Sequence, residues 1–281
     1  MRKEEGSVGR GVGMRFTDGD VRFLAAVIAG DDAHAVARLL KRWRDHPDEL
    51  DDHLEDDRVV RRLMAERQML FELSPRFLFS ILLRRIRRDL GETPYTVERV
   101  HSDGRVVVFD AGHSYELLRS PEMLEYLVDL LVSFERVETV LVHQPQARRA
   151  RRLSTISIDD MLELASLVPP AQQPMVFRRI GDITLFVTGL FPDSVGRERR
   201  YPFGASVLQA SVARHARIED YEDEGRRFYR MAADRLFSSQ PVLAHILMRL
   251  AEEFTAARKP LTVLSERYVA WARPHWTALP S

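Results

Sequence analysis

The sequence contains no cysteine and no asparagine, and its only lysines are Lys3, Lys41 and Lys259. The lack of cysteine excludes disulfide cross-links, thiol catalysis and cysteine-ligated zinc or iron–sulfur sites. The lack of asparagine excludes N-glycosylation and any catalytic triad that contains Asn. Arginine therefore supplies nearly every positive charge in the chain.

Net charge is absent as well, because 42 Lys and Arg residues balance 42 Asp and Glu residues. A dedicated nucleic-acid-binding protein needs excess positive charge facing the phosphates, so this balance argues against that class. The longest apolar runs are too short to cross a bilayer, and residues 1–13 carry charges but no apolar segment typical of a signal peptide. We predict a cytoplasmic protein with a disordered tail at residues 1–13.

The arginine-rich, lysine-poor composition also indicates the source. A GC-rich bacterial genome avoids the codons of Asn and Lys, whereas a thermophile avoids the thermolabile residues Asn and Cys. Lysine depletion favours the genome interpretation, since hyperthermophile proteins are usually rich in lysine. We therefore predict a bacterial protein, with thermophily as the second interpretation.

Helical periodicity dominates what the sequence does contain. Helical patterns occur in residues 18–29, 32–44, 58–73, 76–90 and 120–134. Beyond residue 155 the predicted helices are 157–168, 175–191, 204–216, 219–237, 241–257 and 262–272. The β-rich runs 95–101 and 105–109, on either side of Ser102-Asp103-Gly104, predict a hairpin. The predicted fold is mainly α, a multi-helix bundle with one small β-hairpin near residues 95–110.

A polar, arginine-rich segment at residues 144–153, QPQARRARRL, predicts a linker. It separates an N-terminal helical subdomain with the hairpin, residues 14–145, from a C-terminal helical bundle, residues 155–281. Residues 137–143 could add a third short strand just before the linker. The arginines followed by Ser154 also resemble a basophilic kinase site, although a solvated linker explains such a charge run more simply.

Residues 175–192, MVFRRIGDITLFVTGLFP, predict one buried helix that carries Gly181, Asp182 and Gly189. A glycine inside a helix costs roughly 1 kcal/mol relative to alanine, so two of them indicate close approach by another helix or a ligand. A buried carboxylate must be paired or neutralised, and Arg178 and Arg179 are within reach on a helix. We predict that Asp182 is buried against an arginine.

Two further predictions follow from the same segment. Helix 219–237 is the best candidate to fill the groove bordered by the two glycines, because it offers small and aromatic side chains along one face. Replacing Asp182 with leucine should be tolerated far better than removing its arginine partner, because the second change strands a buried charge.

An open groove would instead form a ligand site, and its candidate residues are Arg178, Gly181, Asp182, Gly189 and His215. His215 falls on an apolar stripe, where a histidine more often belongs to the core than to a ligand set. The sequence contains no HExxH, GxSxG or Walker A signature. No catalytic residue, metal ligand or cofactor is therefore assigned.

A DNA-binding regulator is the first alternative function, because residues 58–110 resemble a winged helix with two helices followed by a hairpin. A recognition helix, however, exposes polar residues near its N-terminus. The corresponding residues 77–83 are apolar on nearly every side, so we predict that they belong to the core.

A magnesium-dependent enzyme is the second alternative, because residues 51–55 and 159–163 both match DDxxE. They resemble the paired aspartate-rich motifs of isoprenyl diphosphate synthases, which implies carboxylates that hold magnesium against a prenyl diphosphate. The second string begins a predicted helix, where capping explains it, and no basic motif for the diphosphate follows. We predict that the two strings do not form a joint metal site.

The string GDITLFVTGLFP resembles one found in uncharacterised bacterial helical proteins, and the resemblance covers residues 175–236. It implies a helical fold and no function. From all these features we predict a cytoplasmic, non-enzymatic binding or interaction protein, of the kind that serves as an accessory or regulatory factor. Its predicted partner is another protein or a small apolar ligand, rather than nucleic acid or a membrane.

Overall fold

The computed structural model describes residues 15–30, 32–66, 72–93, 95–100, 104–108, 110–135, 138–142, 151–192 and 217–269. These residues form twelve α-helices and two antiparallel two-stranded sheets, which confirms a mainly α fold with a small hairpin. Contacts divide the chain into two compact units, Met1–Arg85 (unit 1) and Ile86–Ser281 (unit 2).

Unit 1 is a set of short helices, most of which begin at a side chain that accepts backbone N–H groups. Thr17, Asp32 and Asp56 each cap the helix that follows them, which satisfies donors that a helix start leaves without partners. The helices are α1 (Asp18–Ala29), α2 (Ala33–Asp45), α3 (Asp48–His53), α4 (Asp57–Ala65) and the first part of α5 (Pro75–Glu92). The fourth helix ends at Ala65, short of the predicted residue 73.

The core of unit 1 is formed by large apolar side chains from all of these helices. Leu24, Leu54, Leu63 and Phe77 are fully buried, and the ring of Trp43 is 2% exposed. Val59 and Leu63 of α4 are also fully buried, as the apolar spacing of residues 58–73 predicted, whereas the sequence predicted no helix at α3.

Unit 2 contains the longer helices and both sheets. After the end of α5 its elements are β1 (Thr96–Val100), β2 (Gly104–Val108), α6 (Ala111–Arg119), α7 (Pro121–Ser133), β3 (Thr139–Val142), β4 (Arg151–Ser154), α8 (Ile158–Leu167), α9 (Gln173–Leu190), α10 (Ile218–Leu236), α11 (Pro241–Glu252) and α12 (Phe254–Leu264). A single π-helical turn, Ser265–Val269, follows.

The two sheets are antiparallel pairs. In the predicted hairpin, Thr96 pairs with Val108 and Val100 with Gly104. In the second sheet, Thr139 pairs with Ser154, so the third strand is confirmed and the C-terminal part of the predicted linker is instead a strand. Leu153 is fully buried there, whereas Arg152 is exposed, so the strand buries its apolar side chain and leaves this arginine in water. Residues 144–150 lie outside the described residues.

The division into units differs from the predicted domain organisation. The sequence places a boundary between residues 145 and 155, whereas the contacts separate the units after Arg85. Strand β3 ends before the predicted boundary, β4 lies within it, and the two strands pair with each other. Long-range strand pairing, which composition does not reveal, holds both sides of that segment in one unit.

Helix α9 is the centre of unit 2 and contacts α7, α8, α10 and α12. It runs antiparallel to α10, because Gln173 lies beside Arg235 at one end and Gly181 beside Tyr229 further along. A helix that is apolar on nearly every side requires neighbours on every side, and residues 180–185 are all buried.

The C-terminal helices differ from their predicted bounds. The sequence predicts helices at 241–257 and 262–272, whereas the chain breaks at Glu253 and α12 then continues through Pro260. Proline disfavours a helix interior because it lacks an N–H group, so this helix depends on packing: Pro260 and Leu261 are both buried. The predicted helix 204–216 lies outside the described residues. Within the described part of the chain, no helix is long and apolar enough to cross a membrane.

Candidate functional site

Asp182 lies in the middle of α9 and is 4% exposed. The hydroxyls of Tyr126 and Tyr229 donate to its Oδ1 atom at 2.6 and 2.9 Å. Arg178 Nε lies 3.6 Å from Oδ2 and also donates to the Tyr126 hydroxyl at 3.1 Å. The prediction of a buried Asp182 beside an arginine is confirmed, but the sequence analysis missed both tyrosines. We call these four residues the Asp182 cluster.

The electrostatics of the Asp182 cluster follow from its burial. Burial raises the pKa of Asp182, while Arg178 and the two tyrosine hydrogen bonds act in the opposite direction. Burial also raises the pKa of both tyrosines well above its ordinary value, with the negative charge of Asp182 adding to the effect. Both hydroxyls therefore keep their protons and remain donors. The cluster joins α7, α9 and α10 through buried hydrogen bonds, and a structural role accounts for every member.

The glycines of α9 allow two neighbouring helices to approach closely. A Cβ atom at Gly181 would lie 2.6 Å from the Tyr229 ring, and one at Gly189 would lie 2.6 Å from Leu261 Cβ. Both distances are too short for van der Waals contact, so these two positions admit no side chain as the helices stand. These contacts favour helix crossings over an open ligand pocket.

The prediction that helix 219–237 fills the groove is right for Gly181 and wrong for Gly189. Tyr229 belongs to α10, but Leu261 belongs to α12. Eight residues separate the glycines, which leaves them about 80° apart around the helix. On a helix covered on several sides, that angle is enough for the two positions to face different neighbours.

Arg179, the other predicted partner of Asp182, makes different contacts. Its Nε donates to the Thr155 carbonyl at 2.7 Å, its Nη1 donates to the Ser133 hydroxyl at 2.7 Å, and its guanidinium lies 3.9 Å from the centre of the Phe134 ring. Burial lowers its pKa, against the attraction of Asp182 and Glu138. Arg179 therefore fastens α9 to the end of α7 and to the chain that follows β4.

A second buried ionic cluster escaped the sequence analysis. Glu222 on α10 accepts hydrogen bonds from Arg258 Nε at 2.7 Å, from the Thr255 hydroxyl at 2.7 Å and from Arg226 Nη2 at 3.2 Å. Glu222 is 9% exposed and Arg258 is 7% exposed. Only Arg226 lies at helical spacing from Glu222, so the sequence carries no local signal for the other contacts. This cluster fastens α10 to α12.

The remaining predicted sites divide into three groups. His215 lies outside the described residues, and so do Arg148 and Arg149. Ser154, the serine of the sequence that resembles a kinase phosphorylation site, is 5% exposed within β4, so its hydroxyl is not presented at the surface. The side chains of residues 77–83 are buried or half-buried, with Phe77, Ile81 and Leu83 fully buried, which confirms that this apolar segment belongs to the core.

Aspartates of both strings already have partners within their own unit. In unit 1, Asp51 Oδ2 lies 2.6 Å from Arg15 Nη2 and Oδ1 lies 3.6 Å from Arg84 Nη2. In unit 2, the Asp160 carboxylate accepts the Ser154 N–H at 2.8 Å, and its own N–H donates to the Ser157 hydroxyl. Among the described residues, no group of three or more His, Asp and Glu side chains is arranged to hold a metal ion.

A surface that the sequence analysis missed lies at one end of unit 2. The turn between α8 and α9 and the turn between α10 and α11 meet there, because Arg235 Nη1 donates to Gln173 Oε1 at 3.1 Å. Four large apolar side chains are exposed at these turns: Leu167 (41%), Met175 (42%), Phe237 (73%) and Val242 (68%).

The same two turns carry no Asp, Glu, Lys or Arg. Residues 164–177 and residues 236–248 contain none of these types, although 30% of the whole chain is charged. We call these two segments, with their four exposed side chains, the uncharged end. A scan of the sequence for charge-free windows would have found both segments, but their meeting at one end depends on the antiparallel packing of α9 and α10.

Comparison of the sequence with protein-family models, with curated proteins and with solved structures found no match. The resemblance of GDITLFVTGLFP to a string in bacterial helical proteins therefore stays a prediction. The winged-helix and prenyl diphosphate alternatives stay predictions too.

Proposed function

We propose that the protein is a non-enzymatic interaction protein that binds a protein partner through the uncharged end of unit 2. The supporting observation is the exposure of Phe237 and Val242, at 73% and 68%, in a segment that carries no charged residue. Monomeric proteins rarely expose contiguous apolar surface without a use for it, and the cores of protein interfaces are depleted in charged residues. A protein partner would cover these side chains and remove them from water.

The interior of unit 2 supports a binding surface over a binding pocket. The two glycines of α9 that would border a pocket are covered by Tyr229 and Leu261. The carboxylate that would orient a ligand already accepts two tyrosine hydroxyls. Within the proposal, the Asp182 cluster holds the helices in register and so fixes the two turns that form the surface.

The proposal also covers the source of the protein and its location in the cell. We propose a bacterial, cytoplasmic protein, because the composition is lysine-poor and contains no asparagine or cysteine. An accessory or regulatory role fits a protein whose most distinctive surface is apolar and uncharged. Thermophily remains the second interpretation of the composition.

Photo-crosslinking in the native host tests the proposed surface. A photoreactive phenylalanine analogue replaces Val242 at the uncharged end, and in a second protein it replaces Leu141, which is 56% exposed on β3. The expected result is a discrete crosslinked protein band from position 242 and none from position 141. Mass spectrometry of the band then identifies the partner.

Two outcomes contradict the proposal. Absence of any crosslinked protein at position 242 would show that the surface stays uncovered in the cell. Equal crosslinking from positions 242 and 141 would show that the contacts reflect exposure alone. Both side chains are apolar and exposed, so they differ mainly in their surroundings.

A further inference from the structure

We propose that the uncharged end binds a protein other than this chain, and that the bound segment is apolar and carries one Asp or Glu side chain that pairs with Arg235. The inference rests on the proposed function, because both use the same surface. It adds the chemical class of the partner and the residue that selects it. The two turns contain no charged residue, so selection by charge depends on the residues at their borders.

Four charged residues border the two charge-free segments along the chain: Glu163, Arg178, Arg235 and Arg249. The three arginines differ in their partners. Arg178 Nε lies 3.6 Å from Asp182 Oδ2. Arg249 Nε lies 3.1 Å from Glu253 Oε1. Arg235 is exposed, and among the described residues its contacts are with neutral side chains and no carboxylate is within ion-pair distance of it.

Asp234 precedes Arg235 but belongs to another face of α10. It ends a stripe of exposed charged residues at helical spacing: Glu219, Asp223, Arg227, Arg230 and Asp234. Adjacent residues of a helix lie about 100° apart around its axis, and Arg235 is turned toward α9, where it contacts Gln173 and Phe177. The charge where the two turns meet is therefore positive, and Asp234 lies on the solvated face.

The contacts of Arg235 hold its guanidinium in place without neutralising its charge. Nη1 donates to Gln173 Oε1 at 3.1 Å, and the guanidinium lies 4.6 Å from the centre of the Phe177 ring. A guanidinium presents a planar fork of N–H donors, and a carboxylate accepts a parallel pair of them. A side chain that is already held loses less entropy when it binds. Arg235 is therefore prepared to receive a carboxylate beside the exposed ring of Phe237.

The same charge argues against a second copy of this chain as the occupant. In a twofold contact through this end the patch would meet itself, so two Arg235 side chains would approach each other without a carboxylate between them. Like charges placed together in an interface are strongly unfavourable. A different protein that carries a carboxylate avoids this repulsion and still covers the apolar side chains Phe237 and Val242.

Charge reversal combined with photo-crosslinking from position 242 in the native host tests the inference. We expect Arg235→Glu to weaken the crosslinked band at least about tenfold, because it sets two like charges against each other. Arg235→Gln removes the charge without reversing it, so it should weaken the band by a smaller factor. The matched control is Arg230→Glu, the same substitution on the solvated stripe of α10, which should leave the band unchanged.

A compensating substitution separates a charge pair from a general loss of binding. Mass spectrometry of the band identifies the partner and its crosslinked segment. Replacing the acidic residue of that segment with arginine should restore the band to the Arg235→Glu protein. Arg235 is exposed, so each variant should remain folded, which thermal unfolding checks; if Arg235→Glu unfolds, the comparison of Arg235→Gln with the wild type decides.

Three outcomes overturn the inference and leave the proposed function standing or fallen on its own terms. A band that stays equally strong in Arg235→Glu and Arg235→Gln shows that the partner does not use this charge, although it still binds the surface. A crosslinked segment without an acidic residue, or a band with the mass of two copies of this chain, identifies a different occupant. Absence of any band from position 242 in the otherwise wild-type protein removes the inference and the proposed function together.

Discussion

Each unit buries an aspartate, and the two aspartates are satisfied in different ways. Asp20 in unit 1 is fully buried and accepts the Ser74 N–H and hydroxyl at 2.8 and 2.6 Å, as well as the Thr17 N–H at 2.8 Å. Asp182 in unit 2 lies in mid-helix and accepts two tyrosine hydroxyls. The Asp20 carboxylate accepts hydrogen bonds from residues that precede α1 and α5, whereas the Asp182 carboxylate links α9 to α7 and α10.

The same contrast runs through the helices of the two units. Those of unit 1 begin mostly at capping side chains, whereas α9, α10, α11 and α12 of unit 2 begin without a side-chain cap hydrogen bond. The two longest of these, α9 and α10, have 18 and 19 residues and depend less on their ends because they bury more surface. Side-chain caps in unit 2 occur at α7 and α8, where Ser120 and Ser157 accept backbone N–H groups.

The largest expected effect comes from Asp182→Leu. The sequence, which shows only the arginine, predicts that this change is tolerated far better than loss of the arginine. The structure adds a cost, because both buried tyrosine hydroxyls lose their acceptor, at about 1–3 kcal/mol for each. Urea unfolding measures the loss, and Tyr229→Phe, which removes one donor and leaves Asp182 two partners, should cost less. An Asp182→Leu protein as stable as the wild type would show that unit 2 does not depend on the Asp182 cluster.

Glycine substitutions should have opposite signs in the two units. Gly189→Ala places a methyl group against Leu261 Cβ and should cost about 1–3 kcal/mol through overpacking. Gly19→Ala in α1 meets only the Thr17 hydroxyl at 3.6 Å, so it should gain about 0.5 kcal/mol from reduced chain entropy. Thermal unfolding compares the two. A neutral Gly189→Ala would contradict the close crossing of α9 and α12.

The pH dependence of stability sharpens the contrast further. Because the pKa of Asp182 is raised on folding, its contribution to stability is fully present below the unfolded pKa and is lost as pH rises through the folded pKa. The free energy of unfolding of the wild type, relative to Asp182→Asn, should therefore fall as pH rises from about 4, the ordinary pKa of an aspartate, through the raised folded pKa, by about 1.4 kcal/mol for each unit of elevation. Urea unfolding of both proteins across that range measures it. A difference that rises with pH would mean that the ion pair with Arg178 outweighs burial.

The smallest expected effect concerns the helix starts. Asp32→Ala in unit 1 removes the acceptor of the His34 and Ala35 N–H groups and should cost about 1 kcal/mol. Gln240→Ala at the start of α11 removes no capping hydrogen bond and should change stability by less than about 0.5 kcal/mol. Equal losses in the two variants, measured by thermal unfolding, would break the contrast between locally capped and tertiary-packed helices.

Much of the fold could be predicted because its signals are local. Helical patterning predicted α1 and α2 to within a few residues, and Ser102-Asp103-Gly104 marked the hairpin between β1 and β2. The apolar surroundings of Asp182 also predicted its burial. Strand β4 could not be predicted in the same way, because its arginines are typical of a solvated segment and its strand character comes from pairing with β3.

The sequence by itself determined where most of the helices lie, that Asp182 must be buried beside an arginine, and that residues 164–177 and 236–248 carry no charge. Only the tertiary structure decided that Tyr126 and Tyr229 satisfy the carboxylate, that Gly189 faces α12, and that the two uncharged segments meet at one end. The physical reason is separation along the chain. Periodicity and capping act between residues a few positions apart, whereas the tyrosines lie 56 and 47 residues from Asp182, and only the packing of helices brings them together.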